Sequence, residues 1–205
     1  MANSIIETLF CIWNNIKAKI FTFILSPCFN SIGRNTTIVP PFRFANLNDI
    51  KLGDNVTIHS NSWIHTICDK DVQLLCPKII IKDNVAIGMN ATISAVESII
   101  IEENVFTARN VYISDHGHQY EDINMPIAMQ FIRKKAPVLI KKNSWLGQNA
   151  VILPGVTVGR HCVIGANSIV NSDIPDFSIA AGAPARIIKR YDAVSNMWVK
   201  VSPVE

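Results

Sequence analysis

An aliphatic residue recurs at every sixth position through the C-terminal part of this chain. Ile140, Leu146, Ile152, Val158, Ile164 and Val170 keep the step without a miss, and Gly147, Gly159 and Gly165 directly follow three of them. Five successive chance matches would arise in roughly one of a few hundred trials, so the period belongs to the fold. The same step runs earlier through Leu52, Ile58 and Ile64, through Ile81, Ile87 and Ile93, and through Ile101, Thr107 and Ile113. Three hexads make one triangular coil. Each aliphatic side chain is then expected to point inward and stack about 18 positions along, with a small residue beside it at the tight corner. The array from 52 to 174 reads as a parallel β-helix, an all-β solenoid.

The array breaks in two places. Ile64 and Ile81 are 17 apart, so the insert Asp69 to Pro77 is expected to bulge from a corner. Ile113 and Ile140 are 27 apart, which leaves an excursion over 119–135. Loops thrown out of a rigid solenoid are where function gathers. Beyond Ile174-Pro175 the period stops, and the segment Ile187 to Val201 is expected to cap the open end as a short helix or strand. The expected organisation is an N-terminal amphipathic helix over 1–30, a β-helix domain over 31–186 with an excursion near 114–136, and a C-terminal tail over 187–205.

Composition narrows the function. A chain of 205 residues that is 49% apolar suits one core. A net charge of only +3 gives no support to a nucleic-acid partner. The five cysteines, Cys11, Cys28, Cys68, Cys76 and Cys162, are odd in number and show no C-x-x-C pair, which points to reduced thiols in a cytoplasm. Near the N-terminus, Ile5, Leu9, Ile12, Ile16 and Ile20 share one helical face, opposite Glu7, Asn14, Asn15 and Ala18. Glu7, Lys17 and Lys19 make this a poor membrane span. Packing on the rest of the protein or on a neighbouring subunit is the first reading of that face, and peripheral contact with an inner-membrane surface the second.

The run Trp145-Leu-Gly-Gln-Asn-Ala-Val-Ile-Leu-Pro-Gly-Val-Thr-Val-Gly159 is followed by Val163 to Val170, Asp173-Ile-Pro175 and Ala180-Ala-Gly-Ala-Pro-Ala-Arg-Ile-Ile-Lys189. In this order these motifs resemble the hexapeptide acyltransferases, in particular the maltose/galactoside and polysaccharide O-acetyltransferases, over roughly residues 80 to 190. The resemblance implies a left-handed β-helix, a homotrimer with its sites between subunits, and transfer of an acetyl group from acetyl-CoA to a hydroxyl of a sugar or glycan acceptor.

Ser114-Asp115-His116-Gly117-His118 opens the longer excursion. Acetyl transfer to a hydroxyl needs a base, and an imidazole titrates close to neutrality. The resemblance places that base at His118, with His116 and Asp115 orienting it or the acceptor. It also implies an oxyanion donor among the backbone N–H groups at the Gly147 corner, an aromatic beside the site at Trp145, and coenzyme contacts at Gln148, Ala166, Asn171, Ser172, Arg186 and Lys189. Relatives often carry Lys where this chain has Ser172. Asn90 matches a position that contacts the sugar in galactoside-type enzymes. No metal is expected: His59 and His65 are six apart and His116 and His118 two apart, whereas a zinc hydratase on this fold uses an H-x4-H step. The competing functions are an N-acetyltransferase of a nucleotide-linked aminosugar and a non-catalytic β-helix scaffold.

Overall fold

In the computed structural model, which describes residues 2–67, 78–134 and 136–201, the chain winds through three parallel sheets in strict rotation. Sheet A runs in six strands from Ser31–Ile32 to Thr157–Val158, and sheet C in six from Arg43–Ala45 to Ile169–Val170. Sheet B, between them in sequence, runs from Thr37–Ile38 through Val163–Ile164 to Ser178–Gly182. The hexad positions form the core. In sheet B, Ile38, Ile58, Ile87, Thr107, Leu146, Ile164 and Ala180 stack in register, and each is buried. Thr107 fits this apolar column because its hydroxyl accepts the Gly88 N–H at 2.9 Å.

Stacking at 18 residues holds only in the last coils, where Leu146 pairs with Ile164. Earlier coils pair residues 20 apart, as Ile81 with Ile101 and Ile93 with Ile113. The reason is that the corner from sheet C to sheet A takes two more residues than the other two corners. Both excursions leave from that same corner, which stretches the register from Leu52 to Ile81 and from Ile101 to Ile140. The insert expected over 69–77 lies outside the described residues.

The other two corners are set by asparagine. Asn55, Asn84, Asn104 and Asn143 at one, and Asn61, Asn90, Asn110, Asn149 and Asn167 at the other, all take φ near +60°. Asparagine tolerates this left-handed conformation better than other residues with a Cβ. Its side chains also form ladders between coils, with Asn110 donating to Asn149 at 2.8 Å and Asn149 to Asn167 at 2.8 Å.

Helix α1 spans Ala2–Leu25. It packs on the β-helix through Ala18 and Thr22, both buried, with Phe21 and Leu25 partly buried beside them. The Thr22 hydroxyl accepts the Ile38 N–H at 2.7 Å. The face packed on this chain's own β-helix is therefore the one that holds Ala18, and the stripe Ile5, Leu9, Ile12, Ile16 and Ile20 points away from it. A small residue lets the helix backbone approach the coil, which the large aliphatics would prevent. At the other end Ser178–Gly182, Ala185–Asp192 and Met197–Lys200 form an antiparallel meander that extends sheet B, so the capping element is strand. Its middle strand crosses the boundary between 186 and 187.

Candidate active site

The Ser114–His118 segment leaves sheet C at the long corner. Tyr112–Ser114 ends on a buried serine, and the chain then turns into a short antiparallel hairpin, His116–His118 against Ile132–Lys134. Asp115 fixes the turn. It is 1% exposed. Its carboxylate accepts the N–H groups of Val96 at 2.9 Å, Glu97 at 2.7 Å and Ser98 at 2.8 Å, and faces His116 Nδ1 at 3.0 Å. Burial alone would raise this carboxyl. The bonds from His116 and from the three amides outweigh it and hold Asp115 below the ordinary carboxylate value. An anion is thus fixed behind His116, whose Nδ1–H it orients, leaving Nε2 as the nitrogen free of that bond.

His116 and His118 are two apart on one strand, so their side chains leave the same face of the hairpin. His116 is partly buried and His118 exposed. Across sheet C the register Ser114, Ser94, His65 sets a third imidazole two strands from the dyad. His65 stacks on Trp63 with ring centroids 4.3 Å apart, and burial, followed by the nearby His116, lowers its pKa. Spacing alone assigns this histidine no role in transfer, because its neighbourhood depends on the 29-residue register between Ile64 and Ile93. Among the described residues no group of three His, Cys, Asp or Glu side chains could hold a metal ion.

The residues expected to hold the coenzyme fall into two groups. Asn171, Ser172, Arg186 and Lys189 line one cleft of about 960 Å³ together with Asp173, Ile174 and Lys200. Its Asn171–Asp173 wall follows sheet C, on the same corner of the coil from which Asp115 and His116 emerge, while Arg186, Lys189 and Lys200 come from the strands that extend sheet B. Gly147, Gln148 and Ala166 instead occupy the corner between sheets B and C, and Trp145 lies half-exposed on the outer face of sheet B. In one chain the width of sheet C separates these three residues from the histidines. Asn90 also lies on that far corner, with φ of +59° and its amide donating to Asn110 at 3.0 Å, so it belongs to the asparagine ladder.

The Gly147 N–H donates to the Ile164 carbonyl at 2.8 Å. Glycine is needed here for space: a Cβ would stand 2.7 Å from the Ala166 nitrogen and 2.7 Å from the Ile164 oxygen of the next coil. The adjacent Gln148 amide sits in the turn, outside any strand.

Residues 137–172 match the family model described as bacterial transferase hexapeptide (six repeats), and 78–115 match that described as hexapeptide repeat of succinyl-transferase. The chain is 36% identical over 129 residues to the putative lipopolysaccharide biosynthesis O-acetyl transferase WbbJ of Escherichia coli, covering 60% of this chain and 65% of that protein. It spans between 49% and 66% of the length of the first curated relatives it matches. A solved hexapeptide-repeat acetyltransferase of Vibrio cholerae, VCA0836 in complex with acetyl-CoA, superposes with a TM-score of 0.56 at 26% identity, over 84% of this chain and 77% of that one. AntD, an N-acyltransferase of Bacillus cereus crystallised with a dTDP-aminosugar and coenzyme A, shares the fold with a TM-score of 0.68 at 21% identity, over 80% and 84%.

Proposed function

The chain belongs to the hexapeptide-repeat acyltransferase family, and on that premise we propose that it moves an acetyl group from acetyl-CoA to a hydroxyl of a sugar or glycan acceptor, in the making of a cell-surface polysaccharide. The observation that carries this reading is the Asp115–His118 turn, locked by three backbone amides, on the same corner as Asn171–Asp173, which line a cleft with Arg186 and Lys189.

In the reaction, His118 accepts the proton of the acceptor hydroxyl as its oxygen attacks the thioester carbonyl, and returns it to the departing thiolate. His116, held through Nδ1 by Asp115, positions the acceptor or the base. Arg186 and Lys189 supply cationic donors for the coenzyme phosphates, with Asn171 and Ser172 beside them. The Gln148 N–H takes over the oxyanion role that Gly147 is not free to fill. Because the width of sheet C keeps Gly147, Gln148 and Ala166 from the histidines of the same chain, we read the working unit as a homotrimer in which a second copy completes each site between subunits, and the β-helix as left-handed, as in the family. Exposed free thiols at Cys11 and Cys28 suit a reducing cytoplasm.

Two alternatives have a specific basis. His116 itself is the base if the carboxylate at its Nδ1 matters more than position in the family motif. An amino group of a nucleotide-linked aminosugar is the acceptor if the hydroxyl reading fails. The deciding experiment is a screen of acetyl-CoA against nucleotide sugars, simple glycosides and lipid-linked oligosaccharides, followed by thiol release. An O-acetyl product is cleaved by mild alkali, and an N-acetyl product survives it. No thiol release above hydrolysis with any acceptor would overturn the reading in favour of a silent scaffold.

A further inference from the structure

Among the described residues a broad exposed apolar surface lies on helix α1, which carries none of the residues assigned above to acetyl transfer. Beyond its packed turns, helix α1 is exposed on every side from Ser4 to Trp13. Ile5, Ile6, Leu9, Phe10, Ile12, Trp13, Ile16, Ile20, Phe23 and Ile24 are each between 45% and 79% exposed. On a helix turning about 100° per residue these ten fill one continuous arc of roughly 160°, centred opposite Ala18 and Thr22. The β-helix therefore holds α1 by its narrow small-residue face and presents the broad apolar face outward.

What surrounds that face indicates its partner. Lys17 and Lys19 lie on its two opposite flanks, and Lys17 Nζ sits 4.9 Å from the centre of the Trp13 ring. Glu7 is the one acidic residue of the helix, and it lies toward the packed side. An apolar face with aromatic residues on it and a lysine along each edge is complementary to a bilayer surface with anionic headgroups. The aliphatics enter the acyl boundary while the ammonium groups reach out to phosphate. A bundle of α1 helices from several copies would instead bring like-charged lysines together around it. The helix is also not long and apolar enough to cross a membrane. We propose that α1 lies in the plane of an anionic lipid surface and holds the β-helix against it.

Co-sedimentation of the full chain with phosphatidylcholine vesicles containing phosphatidylglycerol tests this. Wild type is expected to pellet with these vesicles and much less with phosphatidylcholine alone. Lys17→Gln with Lys19→Gln removes two surface attractions and should weaken partitioning by roughly thirtyfold in low salt. Leu9→Asp with Ile16→Asp should abolish it, while acetyl-CoA hydrolysis in solution stays unchanged in both variants and reports an intact fold. Wild type that ignores both kinds of vesicle overturns the proposal. So does a Leu9→Asp/Ile16→Asp chain whose sedimentation mass falls below that of wild type, because α1 would then be an interface between copies.

Discussion

Replacing Asp115 by Ala tests whether the turn that carries the histidines is held as the geometry implies. The carboxylate accepts three N–H bonds of 2.7 to 2.9 Å from Val96, Glu97 and Ser98 in a site 1% exposed. Alanine leaves three donors, one buried and two part-buried, without their acceptor. Each such group costs about 1–3 kcal/mol, and partial rescue by water lowers the sum, so a loss of roughly 3–5 kcal/mol is expected. For a chain of this size that is a fall in Tm of roughly 10 °C. The loss is also pH-dependent. Because the folded carboxyl titrates below its ordinary value, its stabilising contribution is fully present above that value and disappears as pH falls through the folded one. Wild type and variant should therefore differ fully at neutral pH and converge on acidification below about pH 4. Differential scanning calorimetry over a pH series reads both effects. A shift below 2 °C at neutral pH, or a gap that does not narrow in acid, would refute the anchoring role.

Four further outcomes follow from the same geometry. His118→Ala should lower kcat by roughly 10²- to 10⁴-fold with little change in acetyl-CoA affinity, and a larger loss in His116→Ala would move the base to the Asp115-linked imidazole. Arg186→Ala with Lys189→Ala removes two charge-assisted contacts worth roughly 1.5–3 kcal/mol each, so calorimetry should show acetyl-CoA binding weakened by tens of fold or more at unchanged Tm. Gly147→Ala drives a Cβ against the backbone of the next coil and should cost about 1–3 kcal/mol in chemical unfolding; a neutral result would mean the coils separate easily there. Sedimentation equilibrium should give about three times the 22.7 kDa chain mass, and a monomer that still transfers acetyl would sink the shared site.

By itself the sequence determined the coil. A six-residue aliphatic period can bury its side chains only if three short strands close a triangle, so the three sheets, the core columns and the sites of both breaks could be read from Ile81, Ile87, Ile93 and their repeats. The turn Ser114–His118 could also be placed, because it follows a core position directly. Three things needed tertiary structure. Register depends on how many residues each corner absorbs, and the two extra ones at the long corner move stacking partners from 18 to 20 apart without disturbing the hexads around them. The packed face of α1 depends on what it meets: backbone approach to the coil selects Ala18 and Thr22, whereas the sequence pattern shows only which face is more apolar. The hydrogen bonds of Gly147 and Asn90 are made by neighbours distant in sequence, since Ile164 takes the glycine N–H and Asn110 the asparagine amide. A period records which residues turn inward, but a hydrogen bond between coils forms only once register has been set by the loops between them.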